Sequence, residues 1–294
     1  MPENTKPHVI KAALWMTGAI VSFTSMAIAG REIADDHDTF EIMMFRSIIG
    51  LIIVVGFITF YNKWHDVTYN LFAKHVIRNL AHFSGQNLWF YAITLIPLAQ
   101  VFTLEFTSPF WVVVLAPMML NEALTRPKIF VAILGFIGVL IVTRPSPDTI
   151  NVGLVSAAVS AVCFALTYIY TRQLIQHVTI YCILFWMTLL QLVFGIITVS
   201  IDTKISWPNS FTVPWLLVIG IGGLWAHFCI SNALKIAPAN VVIVFEFARL
   251  PVIFFVGWLI YNEDIEIWVA AGALLIFAAI YLNIKAETRQ NQYL

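Results

Sequence analysis

Residues 97–122, PLAQVFTLEFTSPFWVVVLAPMMLNE, and residues 238–263, PANVVIVFEFARLPVIFFVGWLIYNE, are two versions of one apolar segment. They align without a gap at a shift of 141 residues. The identical pairs are Pro97 and Pro238, Val101 and Val242, Glu105 and Glu246, Phe106 and Phe247, Asn121 and Asn262, and Glu122 and Glu263. Because a glutamate and an Asn-Glu pair are unusual in apolar sequence, an internal repeat explains the match better than chance similarity does.

The remaining sequence is apolar enough to span a membrane many times. The chain is 60% hydrophobic and 11% charged, whereas a soluble domain is about 45–50% apolar and about 25% charged. A membrane-spanning helix needs about 20 apolar residues. Apolar segments of about that length occupy residues 12–30, 40–61, 75–95, 98–120, 127–143, 151–172, 179–200, 213–235, 238–261 and 266–284.

These segments predict an all-α polytopic membrane protein with ten transmembrane helices. Five spans separate the two copies of the repeat, and an odd number of crossings turns the second copy over in the membrane. We therefore predict two inverted five-helix repeats, over residues 1–145 and 150–290, with no soluble domain. Inverted repeats of this kind are typical of secondary transporters.

The distribution of basic residues predicts the orientation, because cytoplasmic loops carry an excess of Lys and Arg. With a cytoplasmic N-terminus, the inside segments hold Lys6, Lys11, Lys63, Lys74, Arg78, Arg126, Lys128, Arg172, Lys235, Lys285 and Arg289. The outside loops hold only Arg31, Arg144 and Lys204. We expect a multi-pass protein of the cell (inner) membrane with both termini in the cytoplasm.

Composition also excludes several partners. The net charge is zero, which gives no reason to expect a nucleic-acid partner. Cys163, Cys182 and Cys229 lie in apolar runs without Cys-x-x-Cys spacing, so we expect neither a disulfide framework nor a metal site. No cofactor motif is present, and the expected partners are the lipid bilayer and a small-molecule substrate.

Four ionisable residues lie within predicted spans, away from their ends: Arg46, Glu105, Glu246 and Arg249. A charge at the bilayer centre costs at least about 2.5–3.5 kcal/mol, so these side chains should face the protein interior or water. They indicate a substrate or ion pathway, or alternatively an internal ion pair that fixes helix register. Arg46 and Glu105 are expected at similar depth, which is compatible with a pair between them.

Prolines follow both copies of the buried glutamate. Pro109 lies four residues after Glu105, so its ring clashes with the Glu105 carbonyl and leaves that carbonyl without its helical hydrogen bond. Pro251 does the same to the Phe247 carbonyl. We expect these prolines to act as hinges beside the site, although a passive kink for helix packing remains the alternative.

Other polar and aromatic residues are candidates for contact with a solute. Trp side chains in mid-span stack on organic molecules or simply fill the core, and amides at this depth need partners. A lone residue such as His227 is more often a satisfied interior histidine than a ligand. The substrate-binding candidates besides the four charged residues are Gln86, Asn87, Tyr168, Trp186 and Trp225.

These features resemble the drug/metabolite transporter superfamily, in particular its EamA-type branch. The residues that carry the resemblance are Phe45-Arg46, Leu120-Asn121-Glu122, Tyr261-Asn262-Glu263, and the stretches 132–142 and 270–282. The family usually has Gly-Glu where this chain has Asn-Glu. The resemblance implies a five-plus-five inverted topology and a central cavity lined by the first four helices of each half. Substrates across this family include amino acids, nucleotide-related metabolites, riboflavin, S-adenosylmethionine and drugs.

We therefore expect a secondary transporter for a small organic metabolite, such as an amino-acid-like, nucleotide-related or vitamin-like solute. The alternatives are a drug or toxic-metabolite exporter of the same fold, and an intramembrane enzyme. The sequence shows no Walker loop, and the predicted spans contain no aspartate, so neither ATP-driven transport nor an aspartate-based protease is indicated. The fifth and tenth spans are rich in small residues, which favours a scaffold or homodimer surface.

Overall fold

The computed structural model describes residues 9–120, 130, 133–134, 136–138, 140–141, 151–202, 205–236, 249–264 and 267–290. Within these ranges the chain consists of α-helices joined by loops and one short 3-10 turn. The helices of the first half are α1 (Val9–Glu32), α2 (Thr39–Phe60), α3 (Phe72–Leu95), α4 (Leu98–Glu105) and α5 (Ser108–Leu120). Those of the second half are α6 (Val152–Leu174), α7 (Ile180–Asp202), α8 (Thr212–Ile236), α9 (Arg249–Tyr261) and α10 (Ile267–Gln290).

Length and composition allow five of the described helices to cross a membrane, namely α1, α2, α6, α7 and α8. Their ends fall within a few residues of the predicted spans. At the start of α2, Asp38 accepts from the backbone N–H of Glu41, while the Glu41 side chain accepts from the N–H of Asp38. This reciprocal capping satisfies donors that a helix start leaves free.

The predicted fourth span is interrupted beside its glutamate. It forms two helices, α4 and α5, with a turn at Phe106 and Thr107. Pro109 has no N–H to donate to the Glu105 carbonyl, and the Ser108 hydroxyl donates to that carbonyl instead, at 2.6 Å. For Pro251 the comparison is incomplete, because residues 237–248 lie outside the described part.

The helices pack in pairs that the exchange of the two halves preserves. Helix α1 packs on α8, and α3 packs on α6. Exchanging the halves replaces α1 by α6 and α8 by α3, so it converts the first pair into the second. A third pair, α2 with α7, joins a helix to its own equivalent. Helix α4 packs on α9, which is the equivalent of α5.

Equivalent helices run in opposite directions. Along the α2–α7 contact, Met44 lies against Gly195, Arg46 bonds to Gln191 and Gly50 lies against Thr188. Residue numbers therefore rise along α2 as they fall along α7. A two-fold axis that relates antiparallel helices is perpendicular to them and lies in the membrane plane, as an inverted repeat requires.

The Asn-Glu pair that closes α9 has a conformational explanation. Asn262 has φ 50°, in the left-handed region, and asparagine adopts this region more readily than most non-glycine residues. The next N–H, from Glu263, donates to the Gly257 carbonyl at 3.0 Å. A Cβ on Gly257 would lie 2.5 Å from Glu263 Oε2, so the glycine leaves room for the carboxylate to fold back over the helix end.

Candidate functional site

A chain of hydrogen bonds crosses the middle of the bundle and joins the two halves. Arg46 Nη1 donates to Gln191 Oε1 at 2.9 Å, and Gln191 Nε2 lies 2.6 Å from His82 Nδ1. His82 Nε2 lies 3.0 Å from His227 Nε2. The four residues come from α2, α7, α3 and α8 in that order. All but His227 are buried.

The arginine sets the polarity of this chain. A guanidinium only donates, so Gln191 accepts through its oxygen and donates through its amide nitrogen to His82 Nδ1. His82 then carries its proton on Nε2 and donates to His227. Two neutral imidazoles in defined tautomers therefore satisfy the chain, and neighbouring bonds of one polarity strengthen each other.

A second buried arginine lies beside this chain. Arg78 precedes His82 by four residues on α3, and residues at that spacing share one face of a helix. Arg78 is 2% exposed; its Nε donates to Thr171 Oγ1 at 3.1 Å and its Nη1 to Asn79 Oδ1 at 2.8 Å. Among the described residues no carboxylate is in ion-pair contact with Arg46 or Arg78.

We refer to Arg46, Arg78, His82, Gln191 and His227 as the basic cluster. It contains two permanent positive charges, and its uncharged members offer only hydrogen bonds. Because a buried charge without a counter-charge is costly, the cluster favours an anion over a cation or an apolar group.

Glycine on α8 makes room for Arg46. A Cβ on Gly223 would lie 2.6 Å from Arg46 Nε and 2.7 Å from its Nη2. A small cavity adjoins the same side chain, with room for about one water molecule. It is lined by Arg46, Ser47, Gly50, Met187, Thr188, Gln191, Gly220 and Leu224.

Substitution of this glycine gives a first test. Gly223→Ala should displace the guanidinium and weaken its bond to Gln191, at a cost of about 1–2 kcal/mol. The matched control is Gly56→Ala on α2, where a Cβ would meet nothing within 4 Å and helix propensity should add up to about 1 kcal/mol. Thermal unfolding of the purified proteins should separate the two variants, and equal stability would contradict the proposed contact.

Glu105 and Arg249 form an ion pair between the halves. Arg249 Nη2 donates to Glu105 Oε1 at 2.8 Å, and Trp89 Nε1 donates to Glu105 Oε2 at 2.9 Å. The arginine side chain is 4% exposed and the glutamate 16%. The Arg249 Cζ lies 4.9 Å from the ring centroids of Phe23 and Phe102, close enough for cation–π attraction.

Similar predicted depth was compatible with a pair between Arg46 and Glu105, but in the structure Glu105 pairs with Arg249 instead. Arg46 bonds to Gln191 rather than to Glu105, because α4 packs on α9 and brings Arg249 to the glutamate. The predicted charge Glu246 lies outside the described residues, and its part in the site stays a prediction.

The polar candidates on α3 and α6 are at least partly buried. Asn87 donates from Nδ2 to the Phe83 carbonyl at 2.8 Å. Within the described chain, Gln86 Oε1 and Asn87 Oδ1 have no hydrogen-bond partner, so both oxygens remain available as acceptors. Tyr168 is half-buried on α6.

Two predicted tryptophans make contacts of a different kind. Trp186 is buried, its Nε1 donates to the Thr68 carbonyl at 2.9 Å, and its ring packs against Phe72. It therefore fastens the α2–α3 loop. Trp225 is 50% exposed and packs against Trp15 on α1. Within the described part of the chain, neither tryptophan contacts the Glu105–Arg249 pair.

Sequence reasoning missed most of the basic cluster. The sequence places Arg78 among the basic residues of the inside segments, and the structure adds that it lies within α3 and is buried. His82 and Gln191 are not among the candidates named from the sequence, and His227 is interpreted there as a satisfied interior histidine. A usable signal was the spacing of Arg78, His82 and Gln86, which places three polar side chains on one helix face.

A second polar network joins helix ends at one end of the bundle. We call the end where α1 stops and α2 starts the far end. There Arg31 forms an ion pair with Glu263 and donates to the carbonyls of Ile93 and Ile96. Glu263 also accepts from the N–H of Leu98. These contacts tie α1, the end of α3, the start of α4 and the end of α9 together.

Comparison with known families agrees with this architecture. The sequence model of the EamA-like transporter family matches residues 10–144 and 151–285. A solved crystal structure resembles this fold with a TM-score of 0.66 at 16% sequence identity, over 95% of this chain and 98% of that one.

Curated relatives are transporters. An S-adenosylmethionine uptake transporter of Rickettsia conorii (strain ATCC VR-613 / Malish 7) is 24% identical over 284 residues, 95% of each chain. A riboflavin transporter of Vibrio cholerae serotype O1 is 25% identical over 94% of this chain and 92% of that protein. A riboflavin transporter of Brucella anthropi is 29% identical over 72% of this chain and 76% of that protein.

Proposed function

Because the chain belongs to the EamA-like transporter family, we propose that it moves a small organic metabolite across the membrane by alternating access. It is a multi-pass, all-helical membrane protein with two repeats, and it is a transporter rather than an enzyme. The inner membrane, the cytoplasmic termini and the secondary mechanism are parts of the proposal, supported by the distribution of basic residues and by the absence of a nucleotide-binding loop from the sequence.

The observation that carries the proposal is the polar chain from Arg46 through Gln191 and His82 to His227. Each half contributes two of its four helices. Ionisable and polar groups inside a membrane protein line substrate or ion pathways, and transporter sites lie where inverted repeats meet. A solute held at this junction contacts both halves at once.

The far-end network supplies one of the two closures that alternating access needs. In the predicted orientation the far end faces outside the cell, so the Arg31–Glu263 pair closes the external entrance. Breaking that pair and re-forming it lets one half rock against the other. The turn beside Pro109, and the corresponding Pro251, are the hinges that we propose for this motion.

The substrate class follows from the relatives and from the interior. Relatives that carry S-adenosylmethionine or riboflavin indicate a solute of metabolite size with planar and polar parts. We propose Arg46, Gln86, Asn87 and Tyr168 as residues that meet its polar groups. Glu105, Glu246, Arg249, Trp186 and Trp225 complete the proposed set.

Ligand stabilisation of the purified protein tests this function. A solute at 100 times its Kd should stabilise the folded state by about 2.7 kcal/mol, which a thermal-shift screen of S-adenosylmethionine, riboflavin, amino acids and nucleotides would detect. Solutes that bind should then exchange across proteoliposomes without chemical change. Recovery of a modified product, or binding without any flux, would contradict the proposed transport.

A further inference from the structure

We propose that the basic cluster binds an anionic group of the transported solute, a carboxylate or a phosphate. This inference rests on the proposed transport function and narrows its substrate class. It assigns the anion to Arg46 and Arg78, and it gives His82, Gln191 and His227 the role of holding Arg46 in place.

The first reason is charge. Arg46 is 4% exposed and Arg78 is 2% exposed. No carboxylate of the described residues is in ion-pair contact with either one. Buried ions are normally paired with an opposite charge. An anionic solute supplies the missing charge only while it is bound, as a transport site requires.

The second reason is the use of the guanidinium donors. Arg46 donates through Nη1, and its Nε has no hydrogen-bond partner among the described residues. Arg78 donates through Nε and Nη1. Each arginine therefore keeps donors for an anion, and a planar fork of donors matches the oxygens of carboxylate and phosphate.

The third reason is that the other buried arginine is already neutralised. Arg249 bonds to Glu105, and the second oxygen of that carboxylate is occupied by Trp89. The pair has no net charge. The excess positive charge of the described interior therefore lies at the basic cluster, and selection for an anion is expected there.

Inorganic phosphate is the simplest probe. In neutral detergent, phosphate should raise the melting temperature of the wild-type protein above that in chloride of equal ionic strength. Arg46→Gln and Arg78→Gln should each lower the affinity for phosphate, obtained from this response, at least tenfold. They should still fold without phosphate, since the removal of a buried charge that lacks a counter-charge offsets the lost hydrogen bonds. The control is Arg172→Gln, at an exposed arginine of α6, which should respond like wild type.

Two further arms identify the source of the anion. Wild type should bind adenosine and riboflavin at least tenfold more weakly than it binds their monophosphates. Arg46→Gln or Arg78→Gln should bind the neutral and the phosphorylated forms equally. Short-chain phosphatidylglycerol tests a lipid headgroup. Stabilisation by that lipid with no effect of the soluble phosphates would overturn the solute assignment.

The remaining outcomes separate this inference from the proposed function. Equal phosphate responses in all variants, or none in wild type, would overturn the anion site. Unchanged flux of a phosphorylated solute, such as riboflavin monophosphate, in the Arg46→Gln/Arg78→Gln protein would overturn it too and leave transport intact. Phosphate binding lost in both variants, together with absence of flux for every bound solute, would keep the site and overturn the transport proposal.

Discussion

Replacing Glu105 by Gln is expected to destabilise the protein by about 3 kcal/mol, as is usual when one member of a buried ion pair is removed. The Arg249 guanidinium would lose the Glu105 carboxylate while it remains inside the bundle among aromatic rings. Arg249→Gln should have a similar effect, because of its partners in the described part of the chain Glu105 would then keep only the Trp89 N–H. The yield of folded protein and its thermal unfolding in detergent measure both changes.

The double variant distinguishes the two readings of this pair. Glu105→Gln/Arg249→Gln removes both charges and should recover most of the stability lost by either single variant. Asp36→Asn, at an exposed carboxylate, is the control and should be neutral. If instead the single variants fold normally but lose transport, then the pair contacts the solute and its structural contribution is small.

Replacing Glu263 by Gln is expected to open the far end. The amide oxygen can still accept from Arg31, but the amide carries no charge and cannot form an ion pair with it. A loss of about 1.4 kcal/mol, moderate for a pair that is partly exposed, shifts a two-state equilibrium about tenfold. More molecules should then expose the interior to the outside.

Cysteine labelling measures this opening. Cys163, Cys182 and Cys229 are first replaced by serine or alanine, and Ser22, a buried residue of α1, becomes the reporter as Ser22→Cys. An impermeant maleimide added outside should react about tenfold faster when Glu263→Gln is present. Asn262→Gly is the control, because glycine keeps the left-handed turn and the carboxylate. Equal rates in all three backgrounds would refute a closure by Glu263.

The sequence predicted local features better than pairings. The Pro109 position predicted a disturbed helix beside Glu105, because the missing N–H is a covalent property, and the turn at 106–107 confirms it. The partner of Glu105 was not readable, since Arg249 is 144 residues away and only the packing of α4 on α9 brings them together.

The same limit applies to the basic cluster. His82 and His227 are separated by 145 residues, and nothing local to either one indicates the other. Their link depends on the junction of the halves, where α2, α3, α7 and α8 meet. The shift of 141 residues places Gln86, rather than His82, on His227. The repeat therefore indicated a polar position in each half without indicating which side chains would touch.

The location of both cluster arginines in the same repeat has an electrical consequence. Arg46 and Arg78 both belong to the first repeat, while the second-repeat residues that accept their hydrogen bonds, Gln191 and Thr171, are uncharged. In the proposed rocking of the halves, two charges would move with one half only. If they cross a tenth of a 100 mV membrane potential, the two conformations differ by about 0.5 kcal/mol. With such a motion, voltage would bias the resting conformation of the empty carrier, and an anion bound to the cluster as proposed would reduce that bias.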